Sequence, residues 1–219
     1  MNAAETRRTP VSEPSFATER QGAAGNTYDK YGTRNPVARL LVRRFLAEVE
    51  AIVMDVAPAS VLDVGCGEGV VTERIAQLLP AARVVGLDVA DPTLLDEWTA
   101  RQGGNLRFTS GSAYSLPYSD DEFELLCAVE VLEHLEHPTR ALAELARVSS
   151  RALLLSVPRE PLWRVANVLS GRYVRDLGNT PGHVNHWSSS QFVRLVGTTG
   201  DIVRVRRPIP WTLVALRTV

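Results

Sequence analysis

The stretch VLDVGCGEG, residues 61–69, ends an apolar run with an acid and then turns through three glycines. Glycine adopts the left-handed backbone conformations that tight turns need, and it lets a ligand approach the main chain closely. Further along, VVGLD, residues 84–88, ends a second apolar run with Asp88. A carboxylate at that position can accept hydrogen bonds from the hydroxyls of a ribose. The two stretches predict a βαβ unit that holds a nucleotide-like ligand at its strand ends.

The segments around this unit alternate between strand-like and helix-like patterns. Helical spacing near 69–79, 91–101 and 136–148 separates five short apolar runs: SVLDVG, ARVVGLDV, LRFTSG, EFELLCAV and RALLLSVP. This alternation predicts an α/β fold with a parallel sheet covered on both faces. A helix with Asn35 as N-cap and Pro36 at its first position is predicted before the first strand. Another is predicted from about Ser189, and a strand pair follows it.

Length and composition favour a single domain. The chain has 219 residues, 45% hydrophobic and 22% charged, with a formal net charge of -1. That charge gives no overall attraction to nucleic acid or to anionic membranes. The apolar runs are too short to span a bilayer and the polar start lacks a signal-peptide core, which favours a cytoplasmic location. We expect residues 1–26 to form a mobile tail and residues 27–219 to form the domain.

The charges of the glycine turn select among nucleotide-like ligands. Asp63 precedes the turn and Glu68 lies inside it, and both would repel a pyrophosphate. A cationic group suits an acidic turn better. S-adenosylmethionine carries both an ammonium and a sulfonium, and is therefore the predicted cofactor.

A third stretch extends the pattern: GSAYSLPYSDDEFELLCAVEVLEHLEHP, residues 111–138. With it, residues 58–158 resemble the class I S-adenosylmethionine-dependent methyltransferases. The resemblance implies a Rossmann-like, seven-stranded, mostly parallel sheet with strand order 3-2-1-4-5-7-6 and an antiparallel last strand.

The resemblance also implies how the cofactor is held. Asp63 and the glycines would surround its methionine portion, Asp88 its ribose and Val89 its adenine. Ser112 stands where many relatives have Asp, so a hydroxyl or only backbone would meet the adenine amino group. Tyr31 would close over the cofactor or lie at an exposed tail end. The predicted cofactor contacts are Asp63, Gly65, Cys66, Gly67, Asp88, Val89, Ser112, Ala113, Ala128, Val129 and Tyr31.

EVLEH, residues 130–134, follows the fourth predicted strand at the ligand-binding edge of the sheet. In a helical turn, Glu130, Glu133 and His134 would share one face. Two carboxylates and an imidazole suit a divalent cation: oxygen ligands favour magnesium or manganese, and added imidazole shifts the preference toward manganese, iron or zinc.

A second histidine-bearing stretch, GHVNHWSSSQF, spans residues 182–192. The E-x-x-E-H turn and a later H-x-x-x-W-S pattern resemble the small-RNA 2′-O-methyltransferases and the ubiquinone-biosynthesis O-methyltransferases. The resemblance implies a metal bound by Glu130, Glu133, His134 and His183. One alternative is that the glutamates cap helices or bind substrate. Another is that His134, His183 or His186 acts as a metal-free general base.

Residues 159–187 are predicted to form a lid over the methyl acceptor. Their helix has an apolar face edged by arginines. It either packs on the core with solvated arginines or contacts a membrane interface, an apolar acceptor or a phosphorylated acceptor.

The predicted reaction is O-methylation of a hydroxyl on a small molecule, such as a vicinal diol or catechol. The acidic pI and the lack of an added RNA-binding domain argue against a nucleic-acid acceptor. Two alternatives stay open: a metal-free N-, O- or C-methyltransferase, and a non-catalytic cofactor-binding partner protein.

Overall fold

The structure is a computed structural model that describes residues 35–169, 171 and 173–218. The predictions for the tail 1–26 and for Tyr31 lie outside the described residues. Of the helices within the described part, none combines the length and the hydrophobicity that a membrane crossing requires.

Seven strands form one sheet with the predicted order β3-β2-β1-β4-β5-β7-β6. The strands β1 to β5 run parallel, and β7 is antiparallel to both β5 and β6. Asp63 in β1 pairs with Gly86 on one side and with Cys127 on the other, so β1 is central. The strand bounds are β1 Ser60–Val64, β2 Arg83–Asp88, β3 Leu106–Ser110, β4 Phe123–Val129, β5 Ser149–Pro158, β6 Asp201–Arg206 and β7 Trp211–Arg217.

Among the described residues, six α-helices surround the sheet: α1 Pro36–Val56, α2 Val70–Leu78, α3 Pro92–Arg101, α4 Pro138–Val148, α5 Leu162–Leu169 and α6 Ser189–Val196. The predicted start of α1 is confirmed, because the Asn35 side chain accepts hydrogen bonds from the amides of Val37 and Ala38 at 2.9 and 3.2 Å. The predicted start of α6 is also confirmed, and Ser188 and Gln191 form a capping box there.

The core lies on both faces of the sheet because its strands are apolar on both sides. In β4, Leu125 and Leu126 are both fully buried but belong to opposite clusters. One cluster packs under α4 and α6, and the other packs under α1 and α2. This packing fixes the ends of the parallel strands at one edge of the sheet, where the glycine turn, Asp88 and Glu130 all follow a strand.

Candidate active site

The glycine turn after β1 docks on the end of β2. The amides of Gly65 and Cys66 both donate to the carbonyl oxygen of Leu87, at 2.7 and 3.1 Å. Gly65 has a φ of +74°, and a Cβ there would lie 2.4 Å from the Val131 side chain. No other residue fits that position, so the turn after β1 is in close contact with the turn after β4.

Asp88 ends β2 as predicted, and its carboxylate faces the glycine turn. It accepts hydrogen bonds from the amides of Gly67 and Val89, both at 2.7 Å. Burial raises the pKa of Asp88, and the two amide hydrogen bonds partly offset that rise. Each carboxylate oxygen can accept more than one hydrogen bond, so the group retains the capacity to bind hydroxyls.

Two residues of α3 hold the glycine turn, and the sequence interpretation missed both. Trp98 Nε1 donates to the carbonyl of Gly67 at 2.8 Å, and Arg101 Nε donates to the carbonyl of Glu68 at 2.9 Å. Helical spacing indicates only that Trp98 is a core residue. It cannot reveal the hydrogen bond to Gly67, because that bond joins positions far apart in the sequence.

Asp63 is almost completely buried at 2% exposure. Burial raises the pKa of its carboxyl group to about 7, and a hydrogen bond from Thr72 offsets part of that rise. Thr72 Oγ1 donates to Asp63 Oδ2 at 2.7 Å. The site therefore contains a carboxyl group that changes charge near neutral pH.

The other predicted cofactor contacts lie at the same edge of the sheet. Ser112 follows β3, where its hydroxyl accepts a hydrogen bond from the Tyr114 amide at 3.2 Å. The Gly111 amide donates to the carbonyl of Asp88 at 2.8 Å, which places this loop against the end of β2. Ala128 is fully buried near the end of β4. Contact of these residues with a cofactor stays a prediction.

The EVLEH stretch does not form one helical face, and that prediction is wrong. Glu130 has a φ of +59°, and a short 3₁₀ helix spans Leu132–His134 only. The left-handed residue breaks the helical register between Glu130 and Glu133. The Glu130 carboxylate instead accepts a hydrogen bond from Nε1 of Trp211, in the antiparallel strand β7.

Three of the four predicted metal ligands lie together. Glu133, His134 and His183 each offer a ligand atom, and these atoms lie within 4.8 Å of one another. Glu130 is not part of this group. Glu133 is 2% exposed, and the rings of His134 and His183 meet edge to face with centroids 4.8 Å apart.

Backbone hydrogen bonds bring His183 to this group. The amides of Val184 and Asn185 donate to the carbonyl oxygen of Glu133, at 2.9 and 3.0 Å. The Asn185 side chain donates to the carbonyls of Leu132 and Leu135, at 3.3 and 2.6 Å. Asn185 thus attaches the second histidine segment to the 3₁₀ helix. The sequence interpretation missed it, although it stands between the two histidines that were singled out.

A hydrogen bond sets the tautomer of His134. Its Nδ1 lies 3.0 Å from the carbonyl oxygen of Gly182, which can only accept. In the neutral ring Nδ1 therefore carries the hydrogen, and Nε2 is the nitrogen that would bind a metal ion or a proton. Metal-binding histidines are commonly oriented in this way.

His186 is outside the three-residue group. Its Nε2 lies 2.6 Å from Oδ1 of Asn179, and its ring centroid is 6.5 Å from that of His183.

The predicted lid, residues 159–187, contacts the strand ends through Trp163. Its ring centroid lies 5.7 Å from that of Trp211, and its Nε1 donates to Thr180 Oγ1 at 2.9 Å. In α5, Trp163 and Asn167 are buried, whereas Val165, Val168 and Leu169 are exposed. That the segment covers an acceptor stays a prediction.

Comparison with known proteins gives matches in sequence and in fold. Residues 62–152 match the family model described as a methyltransferase domain. An uncharacterized methyltransferase of Schizosaccharomyces pombe is 38% identical over 98 residues, which are 41% of this chain and 35% of that protein. A ubiquinone biosynthesis O-methyltransferase of Aeromonas salmonicida is 26% identical over 152 residues, covering 66% of this chain and 63% of that one. The match therefore spans about a third of the fission-yeast protein.

The fold has close counterparts among solved structures. Magnesium protoporphyrin IX methyltransferase from Synechocystis PCC 6803, determined with bound SAH, superposes with a TM-score of 0.65 at 20% identity, covering 86% of this chain and 90% of that one. The sheet order and the glycine turn agree with the domain match, and residues 62–152 form a methyltransferase domain of the class I S-adenosylmethionine-dependent type.

Proposed function

We propose that the protein is an S-adenosylmethionine-dependent methyltransferase that methylates a hydroxyl group of a small molecule, assisted by a divalent cation at Glu133, His134 and His183. The grouping of these three side chains, within 4.8 Å of one another, carries the proposal. Glu133 and His134 follow β4, at the same sheet edge as the glycine turn and Asp88, and the amides of Val184 and Asn185 hold the His183 segment against Glu133. The names of two relatives, a ubiquinone biosynthesis O-methyltransferase and a demethylmenaquinone methyltransferase, support it.

The residues around the glycine turn fit the proposed cofactor. Asp88 would accept hydrogen bonds from the ribose hydroxyls, and the Asp63 carboxylate would attract the ammonium of the methionine portion. The cofactor supplies a methyl group that is already activated by its sulfonium. The protein then has to align the acceptor and remove its proton.

The donor set fits a divalent cation. One carboxylate and two imidazoles favour manganese, iron or zinc over magnesium, which prefers oxygen ligands. Ligand bonds of about 2.0–2.3 Å need donor atoms closer together than 4.8 Å, so small side-chain rotations would complete the site. A cation there would lower the pKa of an acceptor hydroxyl and orient it.

A second mechanism uses the same residues without a metal. The hydrogen bond from His134 Nδ1 to Gly182 leaves Nε2 as a base, and an imidazole titrates near neutral pH. His134 would then remove the acceptor proton directly. Chelation separates the two mechanisms, because only the first one loses activity.

The test combines chelation with histidine substitutions. Metal content, binding of SAH by calorimetry, and methylation of a catechol are measured before and after treatment with a chelator. We expect activity to disappear with the metal and to return on adding manganese or zinc, while SAH binding is unchanged. Activity that is indifferent to chelation would contradict the metal site and favour the histidine base.

The chain offers a matched control for the substitutions. His183→Ala should lower both the metal content and kcat/KM, the latter about 10–100-fold or more. His137→Gln should change neither, because His137 lies outside the group at the start of α4. A His183→Ala enzyme with full metal content and activity would contradict the proposed role.

A further inference from the structure

A cavity of about 570 Å³ opens beside the three-residue group. It is formed by α5 and by the loop that follows, and none of the glycine-turn residues lines it. His186 connects it to the proposed metal group, since its ring lies 6.5 Å from that of His183. The lining residues are Arg164, Arg175, Asp176, Leu177, Asn179, Pro181 and His186.

The lining of the cavity contains more basic than acidic side chains. Arg164 and Arg175 face it together with His186, and Asp176 is the acidic residue of its lining. The Glu160 carboxylate, outside the lining, interacts electrostatically with Arg164 and His186. Within the part of the chain that the structure describes, neither guanidinium forms an ion pair. Arg164 Nε donates to the carbonyl of Leu177 at 3.0 Å, which fixes the guanidinium and leaves its terminal nitrogens for a ligand.

The lining also contains an uncharged hydrogen-bond donor, the side-chain amide of Asn179. Asn179 Oδ1 lies 2.6 Å from Nε2 of His186, and an amide oxygen only accepts. His186 therefore donates, and the Asn179 amide nitrogen can donate to a ligand. Guanidinium and amide N–H groups that converge on one space are the donors that bind oxyanions.

We propose that this cavity binds a carboxylate or phosphate of the methyl acceptor while the acceptor hydroxyl reaches Glu133, His134 and His183. The inference rests on the proposed function, and it adds that the acceptor is an acid. The volume is within the range of small-molecule sites, and His186 in the lining lies 6.5 Å, ring centroid to ring centroid, from His183 of the proposed metal group.

The experiment compares three catechols of one skeleton: 3,4-dihydroxycinnamate, its phosphonate analogue and its neutral methyl ester. Calorimetry with SAH-saturated protein measures the affinity for each. We expect at least one anion to bind about tenfold or more tightly than the ester. The anion with the larger advantage identifies carboxylate or phosphate as the natural group. Equal affinity for all three would overturn the proposal.

Two substitutions test whether the tighter binding of the anions depends on the arginines of the cavity. Arg175→Gln should bring the ratio of anion to ester affinity close to one, and Arg175 is exposed, so this variant should fold. Arg43→Gln, an exposed position on α1 outside the cavity, should keep the ratio. A ratio that survives Arg175→Gln would place the anion elsewhere and would also overturn the proposal.

Turnover measured on the same samples distinguishes failure of the proposed acid-binding cavity from failure of the proposed hydroxyl methylation. If the anions bind tightly through Arg175 but none of the catechols is methylated, the acid site stands and the proposed hydroxyl methylation of this class fails. If all three are methylated with equal kcat/KM and equal affinity, the methyltransferase function stands and the acid site fails.

Discussion

Asp63 is a buried carboxyl group, and we expect its protonation to be linked to binding of the proposed cofactor. Burial raises its pKa to about 7, so the folded protein holds this proton more tightly than the unfolded chain does. Without ligand, this group therefore lowers the stability of the fold as the pH rises from about 4 to 7. A cation bound beside Asp63 would favour the ionised form and reverse that effect.

This linkage predicts how SAH affinity changes with pH. Below pH 7 the affinity should rise about tenfold per pH unit, because binding must release one proton, and it should level off above pH 7. Calorimetry from pH 5.5 to 7.5, in buffers of different ionisation enthalpy, measures both the affinity and the proton release.

Two substitutions assign the effect. Asp63→Asn should flatten the dependence on pH. Asp91→Asn should preserve the dependence on pH, since Asp91 is a partly exposed helix cap whose hydrogen bonds to Thr93 lower its pKa, and asparagine also caps helices. A steep dependence that persists in Asp63→Asn would show that another group titrates.

At the scale of single residues, the sequence could predict what is local. Asp63 and Asp88 end apolar strands and stand next to glycines, so their positions follow from neighbouring residues. The conformation of Glu130 does not, because one left-handed residue changes the register without changing the spacing. The role of Asn185 depends on carbonyl groups about 50 residues away, at Leu132 and Leu135.

At the scale of elements, the histidine segment depends on Asn185. Asn185→Asp keeps the shape but removes the amide donor, so the bonds to Leu132 and Leu135 are lost. We expect metal affinity and kcat/KM to fall about 10–100-fold, the range for residues that orient metal ligands, with SAH affinity unchanged. Metal titration and kinetics on the same protein give the measurement.

Val184→Ala is the matched control in the same segment. The Val184 side chain is 56% exposed, and the backbone amide that binds Glu133 is retained. This variant should retain both metal affinity and activity. Equal losses in Val184→Ala and Asn185→Asp would attribute the effect to loop flexibility.

Thr180 holds the predicted lid through a single hydroxyl. It accepts hydrogen bonds from Trp163 Nε1 and from the Asn167 amide, at 2.9 and 3.2 Å, and is 5% exposed. Thr180→Val leaves two buried donors without this acceptor, and we expect a loss of about 1–3 kcal/mol in the free energy of unfolding. Urea unfolding measures it.

Thr99→Val is the comparison for this change. Thr99 is exposed on α3, and its hydroxyl bonds to the carbonyl of Leu95 in the same helix. The Thr99→Val substitution should change the free energy of unfolding of the protein by less than about 0.5 kcal/mol. Similar losses at the two positions would contradict a special role for Thr180.

The elements themselves were predictable, but the contacts of the lid were not. The N-cap residues Asn35 and Ser188 mark where α1 and α6 begin. The alternation of strand-like and helix-like hydrophobic patterns indicates the other helices and strands. The link from Trp163 through Trp211 to Glu130 joins three separate elements, and no local pattern indicates which of them meet. The order of the sheet was likewise inferred from the family resemblance, because apolar runs do not show which strand pairs with which.

At the scale of the whole molecule, both core clusters share one sheet. Leu126 is fully buried under α4 and α6, and its replacement by alanine should cost about 2–5 kcal/mol. Because the sheet is common to both faces, far-UV circular dichroism and tryptophan fluorescence should report one unfolding transition, shifted equally by the substitution. Two separated transitions would contradict a shared core.

Leu40→Ala is the corresponding surface control. Leu40 is 48% exposed on α1, and its loss should change the unfolding free energy by less than about 0.5 kcal/mol.

The position of β7 has a consequence for synthesis on the ribosome. This strand is made after β6 but inserts between β5 and β6. Until β7 has been synthesised, β5 has an unpaired edge and β6 lacks its neighbour in the sheet. Trp211, which donates a hydrogen bond to Glu130, is the first residue of the same strand. A nascent chain that has completed its first five strands is therefore prone to self-association and lacks the hydrogen bond between Trp211 and Glu130, and both conditions end when β7 docks.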